Sequence, residues 1–399
     1  MKTSEFLMSA FAAAMVIAGL SSCNKVTPDP DPDPDPEEHI GGRISEDLTL
    51  ESGKTYVLTS SLQVEAPATL TIQPGVTIMA DESAGSDNII YILIEQGAKI
   101  NAEGTAENPI VMTSETKEPG AWGGLHICGY AHTNAGDGTF SEIGNAPYGG
   151  ENDADNSGVL KYLRIEYSGL ALDSTHEANG ISLYGVGSGT EISYIYVVDG
   201  SDDGIEFFGG SANIDHCVVE NCTDDSYDWT EGWDGTAEYI VAYQSVDECD
   251  CLMECDNNGN DNEASPVAHP TIRHATFIGN NSTENHRGLR FREGTYVTLS
   301  NALVCGKPDP ITLDTPQTIN SFGSGTSSIT NTVIVGELVI DDNKDVVNPT
   351  DVYTHEDFLA AEGNSSVSAD EMTFSDKYVG MIGESGAVSA DNDWTAWIR

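Results

Sequence analysis

From about residue 45 onward, apolar residues come in short runs rich in Val, Ile and Tyr. Gly, Asn and Asp separate the runs, which is the punctuation of strands and turns. No stretch of length shows the spacing of an amphipathic helix. The runs repeat. When "TEISYIYVVDGSDDGIEFFGG" (190–210) is laid over "ANIDHCVVENCTDDSYDWTEG" (212–232), Ile192 meets Ile214, Ile195 meets Cys217, Val197 meets Val219, Asp202 meets Asp224 and Phe207 meets Trp229. The offset is 22 throughout. "GVLKYLRIEYSG" (158–169) and "NGISLYGVGSG" (179–189) are earlier copies of the two halves. "TAEYIVAYQS", "TIRHATFIGN", "VTLSNALVCG" and "SSITNTVIVG" continue the first strand, and "CLMECDNNG" and "RGLRFREG" the second.

A repeat of roughly 22–25 residues holding two or three strands is one coil of a parallel β-helix. One coil cannot bury its own apolar face, so coils stack at about 4.8 Å, the strand spacing of any sheet. The pattern predicts an all-β chain, a right-handed parallel β-helix (β-solenoid) of about a dozen coils with capped ends. The strand–Gly–strand rhythm of "ATLTIQPGVTIMA" and "ILIEQGAKINAEGTAENPIVMTSE" supplies the first coils, and it fades near residue 340. The expected division is a signal peptide over 1–22, a lipidated Cys and acidic linker over 23–43, the solenoid over 44–340 and a capping segment over 341–399. In that last segment "THEDFLAAEG" reads as a short helix, and the two Trp of "DNDWTAWIR" are placed to fold back on the solenoid.

The amino end changes the picture of location. "MKTSEFLMSAFAAAMVIAGLSSC" has an early Lys, an apolar run and small residues, a secretory signal too short for a membrane span. Leu20-Ser21-Ser22-Cys23 resembles the bacterial lipobox, which makes Cys23 the lipidation site and the outer membrane the anchor. The alternating Pro and Asp of 28–36 form an extended, self-repelling spacer. Lys plus Arg number 16 against 65 Asp plus Glu, a net charge of −49. Such a surface repels nucleic acid, which is excluded as a partner. Seven of the eight Cys follow Cys23, an odd number in a compartment that permits disulfides. A zinc site at Cys249, Cys251 and Cys255 is the weaker alternative, because the spacing is not that of a finger.

The run of G-V-G-S-G-T, then D-D-x-x-E-[FW]-F-G-G, then D-D-x-x-D resembles a family of bacterial, Bacteroidetes-type surface lipoproteins built on the parallel β-helix. "MECDNNGND" before "HPTIRHATFIG", "PGVTI", "GTAENPI" and "DWTAW" resemble it too, over roughly residues 45–399. The Cys-rich 249–255 departs from it. The resemblance implies a lipid-anchored protein on the cell surface, next to TonB-dependent outer-membrane transporters or other surface lipoproteins.

Coil stacking gives the aspartates vertical neighbours. Asp202, Asp224 and Asp250 fall in one row, Asp203 and Asp225 in a second, and Glu206, Asp228 and Glu254 in a third. Carboxylates so close raise one another's pKa unless a base or cation intervenes. Calcium, with six to eight oxygen ligands, suits such loops; its candidate ligands are Asp202, Asp203, Asp224, Asp225 and Asp228. Arginines of "RGLRFRE" are the other relief, since Arg287 falls in the Asp203 row and Arg290 in the Glu206 row. Solvated turn acids are the third. Trp233, Arg287 and Arg290 are the candidate ligand contacts, and the stacked row Tyr162, Tyr194, His216, Tyr239, His274, Asn301, Asn331 reads as structural. The expected function is binding of an extracellular ligand, a glycan or other nutrient, as accessory to a transporter. The alternatives are a calcium-dependent polysaccharide lyase or glycoside hydrolase, which builds acid and base from successive coils, and a structural subunit of an envelope complex. No nucleophile elbow or Cys–His pair stands out.

Overall fold

The computed structural model describes residues 38–81, 89–136, 138–170, 178–340 and 351–399. The expected signal peptide, Cys23 and most of the linker lie outside the described residues. The strands form parallel ladders in three stacks, so the chain is a right-handed parallel β-helix. One stack, sheet A, runs from Leu48–Leu50 through Thr69–Ile72 and Lys99–Glu103 into the first halves of the longer strands Gly158–Glu166, Glu191–Val198 and Ile214–Glu220. Sheet B takes the second halves of those strands and ends at Val333–Val335 and Ser365–Val367. Sheet C, of short strands, has eleven rungs, from residues 42–44 to Leu338–Ile340. The first strand opens at Glu38, so the solenoid takes up residues that composition placed in the spacer.

Register matches the sequence repeat. In sheet C, Phe207 stacks on Trp229, Trp229 on Cys255 and Cys255 on Phe291, all facing the core. Alternation then sends Glu206, Asp228, Glu254 and Arg290 to the outer face. Gly204 enters the same sheet where a Cβ would lie 2.3 Å from Val219 Cγ1, which is why a glycine closes the acidic pair.

Between sheets A and B the later coils turn on one residue. Tyr162, Tyr194, His216, Tyr239, His274, Asn301 and Asn331 all have φ between 47° and 56°. The left-handed region costs a residue with a Cβ roughly 1–2 kcal/mol. Here ring stacking offsets it: Tyr162–Tyr194, Tyr194–His216, His216–Tyr239 and Tyr239–His274 centroids are 4.4, 4.7, 4.8 and 4.9 Å apart. Asn ends the row, the residue that tolerates this conformation best. The C-terminal segment folds back over this corner. Trp394 meets His216 edge-on and Trp397 meets Tyr162, while Tyr378, Val379 and Val388 pack on Tyr196, Val218 and Val241. The helix α1 (Pro316–Ser324) lies within the last coils, between the strands Asp309–Leu313 and Ser328–Thr330, and α2 (His355–Ala360) follows the last rung of sheet C.

All seven described cysteines are free thiols. Cys255 is part of the core row and Cys128 lies under an outer-face cluster, so burial among apolar neighbours takes the place of disulfides.

Candidate functional site

The outer face of sheet C carries two parallel columns of charge. One reads Ser182, Glu206, Asp228, Glu254, Arg290 and Thr312 along successive rungs. The other, two positions on, places Asp256, Arg292 and Asp314 after Phe208 and Thr230. On the entering side lie the aspartates of the turns, Asp202, Asp203, Asp224, Asp225 and Asp250. A long insertion, residues 129–157, runs along the exit side. His132 contacts the Gly232 carbonyl, and Asn134 donates to Asn257 Oδ1 at 2.8 Å. Tyr148 and Ala146 of this insertion cover Cys128, Tyr184 and Phe208. Past that cover the acidic rungs lie half-buried.

The arginines divide the acids into two groups. Arg290 bridges Glu254 at 2.8 Å and Asp314 at 3.1 Å. Arg292 pairs with Asp256 at 2.7 Å and also with Glu254. Both guanidinium groups are thus engaged by carboxylates of the neighbouring coils. Arg290 is therefore part of an internal ionic lattice rather than a free ligand contact. Arg287 lies half-buried on the rung of Asp309.

Upstream, Asp203, Glu206 and Asp228 each offer an oxygen within 4.8 Å of the other two, and no ion pair among the described residues neutralises any of them. Asp202 and Asp224 join Asp203 in a second such group, and Asp224, Asp225 and Asp250 form a third. Asp203 accepts from the Asp225 amide at 2.9 Å, and Asp225 accepts from the Cys251 amide, so each aspartate caps the coil below. Glu206 accepts from the Asn179 amide. Asp228 Oδ1 is buried with no hydrogen-bond partner. Burial pushes the carboxyl of Asp203 well above the usual range, and the charges of Asp228, Asp225 and Glu206 add to it. Burial, then Asp228 and Glu142, does the same to Glu206. Burial, then Glu254 and Asp224, raises Asp225. Asp228 is raised by burial, Glu254 and Asp256, with Arg292 pulling only partly the other way.

The five aspartates expected as ligands are thus brought together. Glu206 completes the group with Asp203 and Asp228; its outward position was legible in the repeat, but strand alternation alone did not mark it as a ligand. Asp256 and Asp314 are further members. They stand one residue past their strands, where the repeat frame carries least information.

Trp233 is a correction. It is 1% exposed and stacks on Phe207 at 3.9 Å, and its Nε1–H donates to the Ala212 carbonyl. The turn that carries it curls back into the solenoid, so the ring fills core rather than meeting a ligand. Trp122, Trp229 and Tyr227 are buried as well. The three cysteines 249, 251 and 255 do not form a common cluster. Cys251 faces Asp225 and Glu254, whereas Cys255 points inward, which removes the zinc alternative.

Residues 42–395 match the family described as a pectate-lyase like β-helix domain, and the chain belongs to that family. No curated protein and no solved structure matches it.

Proposed function

We propose that this member of the pectate-lyase-like β-helix family is a polysaccharide-binding protein of the outer-membrane surface, anchored through Cys23, whose acidic groove works with a bound calcium ion. The observation that carries the reading is the Asp203–Glu206–Asp228 triangle: three carboxyls whose oxygens lie within 4.8 Å of one another, with no ion pair among the described residues, one of them with a buried and unpartnered oxygen. An all-oxygen donor set fits a hard cation. Asp203, Glu206 and Asp228 would hold the ion, with Asp202 and Asp224 at its side. When bound, calcium supplies positive charge and open coordination positions to which sugar hydroxyls bind. The chain's own residues set the ligand class. A groove inside a surface of charge −49 repels polyanions, so a neutral polysaccharide suits it better than a uronate. A lipid anchor at Cys23 suits handing glycan to a TonB-dependent transporter or another surface lipoprotein.

Titration calorimetry with calcium, followed by affinity electrophoresis on neutral polysaccharides in calcium and in EDTA, tests the reading. Calcium heat and calcium-dependent retardation are expected, and both are lost in Asp203→Asn/Asp228→Asn. Absence of calcium heat from the wild type refutes it. Release of the protein from the membrane fraction by Cys23→Ala tests the anchor.

A second reading rests on the same raised proton affinities. A carboxyl whose proton affinity is raised by burial and neighbouring charge is what a general acid needs, and a second carboxylate beside it can serve as base. This hydrolase reading predicts new reducing ends from a polysaccharide panel in EDTA, where the calcium reading predicts none.

A further inference from the structure

A cavity of about 500 Å³ lies at the exit side of the last coils. Two loops of successive coils, α1 and the residues Thr326 and Asp351 build it. Asn262 comes from the loop after the strand Met253–Cys255, Tyr296 from the turn after Arg287–Phe291, and Gln317, Asn320 and Ser324 from α1. The spacing 317, 320, 324 puts these three on one face of the helix. The helix's other residues Thr318, Ile319 and Phe322 are buried against the solenoid. The helix is therefore fixed by its apolar side and turns Gln317, Asn320 and Ser324 towards the cavity, where Asn320 Oδ1 accepts from the Asp351 amide and Ser324 Oγ bonds the Ser321 carbonyl and Thr326 Oγ1.

The chemistry of this wall is unlike the rest of the surface. Seven of its ten lining residues are uncharged and polar, in a chain with 65 acidic residues. No Lys or Arg lines it, and its two charges are the exposed carboxylates Glu263 and Asp351. An anionic ligand finds no counter-charge there. An apolar ligand finds one Val and one half-exposed Tyr. Amide and hydroxyl side chains lining one wall with an aromatic ring match the hydroxyls and C–H face of a sugar, and the volume is within the range of small-ligand sites. Gln317 Oε1 is buried without a hydrogen-bond donor, so an arriving hydroxyl that turns this amide satisfies an acceptor the fold leaves unmet.

We infer that this cavity is a subsite for one or two units of a neutral saccharide, separate from the acidic groove and independent of calcium. It rests on the polysaccharide reading of function but on none of the groove's carboxylates. A polymer held at both places is bound with the gain of a second, tethered contact.

Saturation-transfer NMR and calorimetry with cellobiose, mannobiose, xylobiose, maltose and lactose test it, with digalacturonate as the acidic control, each in EDTA and in calcium. At least one neutral disaccharide is expected to saturate equally in both buffers. Gln317→Trp, which fills the cavity, is expected to weaken it at least tenfold, with calcium heat and melting temperature unchanged. Tyr296→Ala, on a different loop, is expected to weaken it as well and guards against a misfolded first variant. The inference is overturned if no neutral disaccharide shows transfer, if neither variant weakens binding, if digalacturonate binds instead, or if EDTA abolishes binding. The last outcome would move the sugar to the groove. Loss of calcium heat in Asp203→Asn/Asp228→Asn with disaccharide binding intact separates this site from the groove.

Discussion

Replacing Asp228 by Asn tests the carboxylate triangle through stability rather than ligand binding. Asp203, Glu206 and Asp228 present oxygens within 4.8 Å of one another. Two full charges at that distance repel by about 3.5 kcal/mol at an effective dielectric of ~20. Without a cation the fold relieves this by holding protons, which is why burial and mutual charge raise all three carboxyls. A carboxyl whose folded pKa lies above its unfolded value stabilises the fold at low pH. That stability is lost as pH rises from the unfolded value of about 4 towards the folded one. The cation-free protein is therefore expected to melt progressively lower from about pH 4 to neutrality. Asp228→Asn keeps the shape and removes one charge, so its melting temperature falls less steeply. At pH 7 in EDTA it is expected to melt above the wild type. With an upper gain of about 3 kcal/mol from one lost repulsion, and an unfolding entropy of about 0.8 kcal/mol/K for a unit of this length, the rise is about 2–4 °C. Calcium reverses the order. At a hundred times its dissociation constant it stabilises the wild type by about 2.7 kcal/mol, roughly 3–4 °C, and the variant by much less. Differential scanning calorimetry from pH 4 to 8, in EDTA and in calcium, reads all four arms. A wild-type melting temperature in EDTA that does not change with pH, or a variant less stable than wild type in EDTA, refutes the reasoning.

Other expectations follow from the same geometry. Arg292→Met leaves Glu254 and Asp256 without one of their bases; a loss of about 3–5 kcal/mol is expected in chemical denaturation, the usual cost of stranding a buried charge. Trp233→Ala opens the core beneath Phe207 and is expected to cost about 3–5 kcal/mol while leaving calcium heat unchanged, a combination that a surface ligand contact would not give. His132 is set between Asp153 Oδ1 and the Gly232 carbonyl, each 2.8 Å from a ring nitrogen. Burial lowers its pKa, but the Gly232 carbonyl and Asp153 outweigh that and leave it raised. A raised imidazolium stabilises below the unfolded value of about 6.5, and that stability is lost as pH rises through the folded value. Hydrogen exchange in residues 129–157 is expected to quicken above that pH, and His132→Gln is expected to remove the dependence.

The amino-acid sequence determined the solenoid by itself. A 22-residue offset that aligns Ile with Ile, Phe207 with Trp229 and Asp202 with Asp224 leaves stacked coils as the arrangement that buries every apolar copy, and ladder register follows from the period. For the same reason the rows of carboxylates, and the arginines downstream of them, were legible from the repeat alone. What the repeat frame could not fix is how far each charge reaches. Arg290 and Arg292 turn to Glu254, Asp256 and Asp314, and leave Asp203, Glu206 and Asp228 without a base; side-chain direction and the loops flanking sheet C decide that, and neither has a period. The fate of Trp233 was hidden likewise, because it follows its strand in a turn, and only the curl of that turn sends the ring inward onto Phe207. The insertion at 129–157 and the cavity beside α1 belong to segments outside the repeat. Placement of the insertion depends on contacts 100 or more residues apart in sequence, such as His132 with Gly232 and Asn134 with Asn257, and those exist only once the coils have stacked.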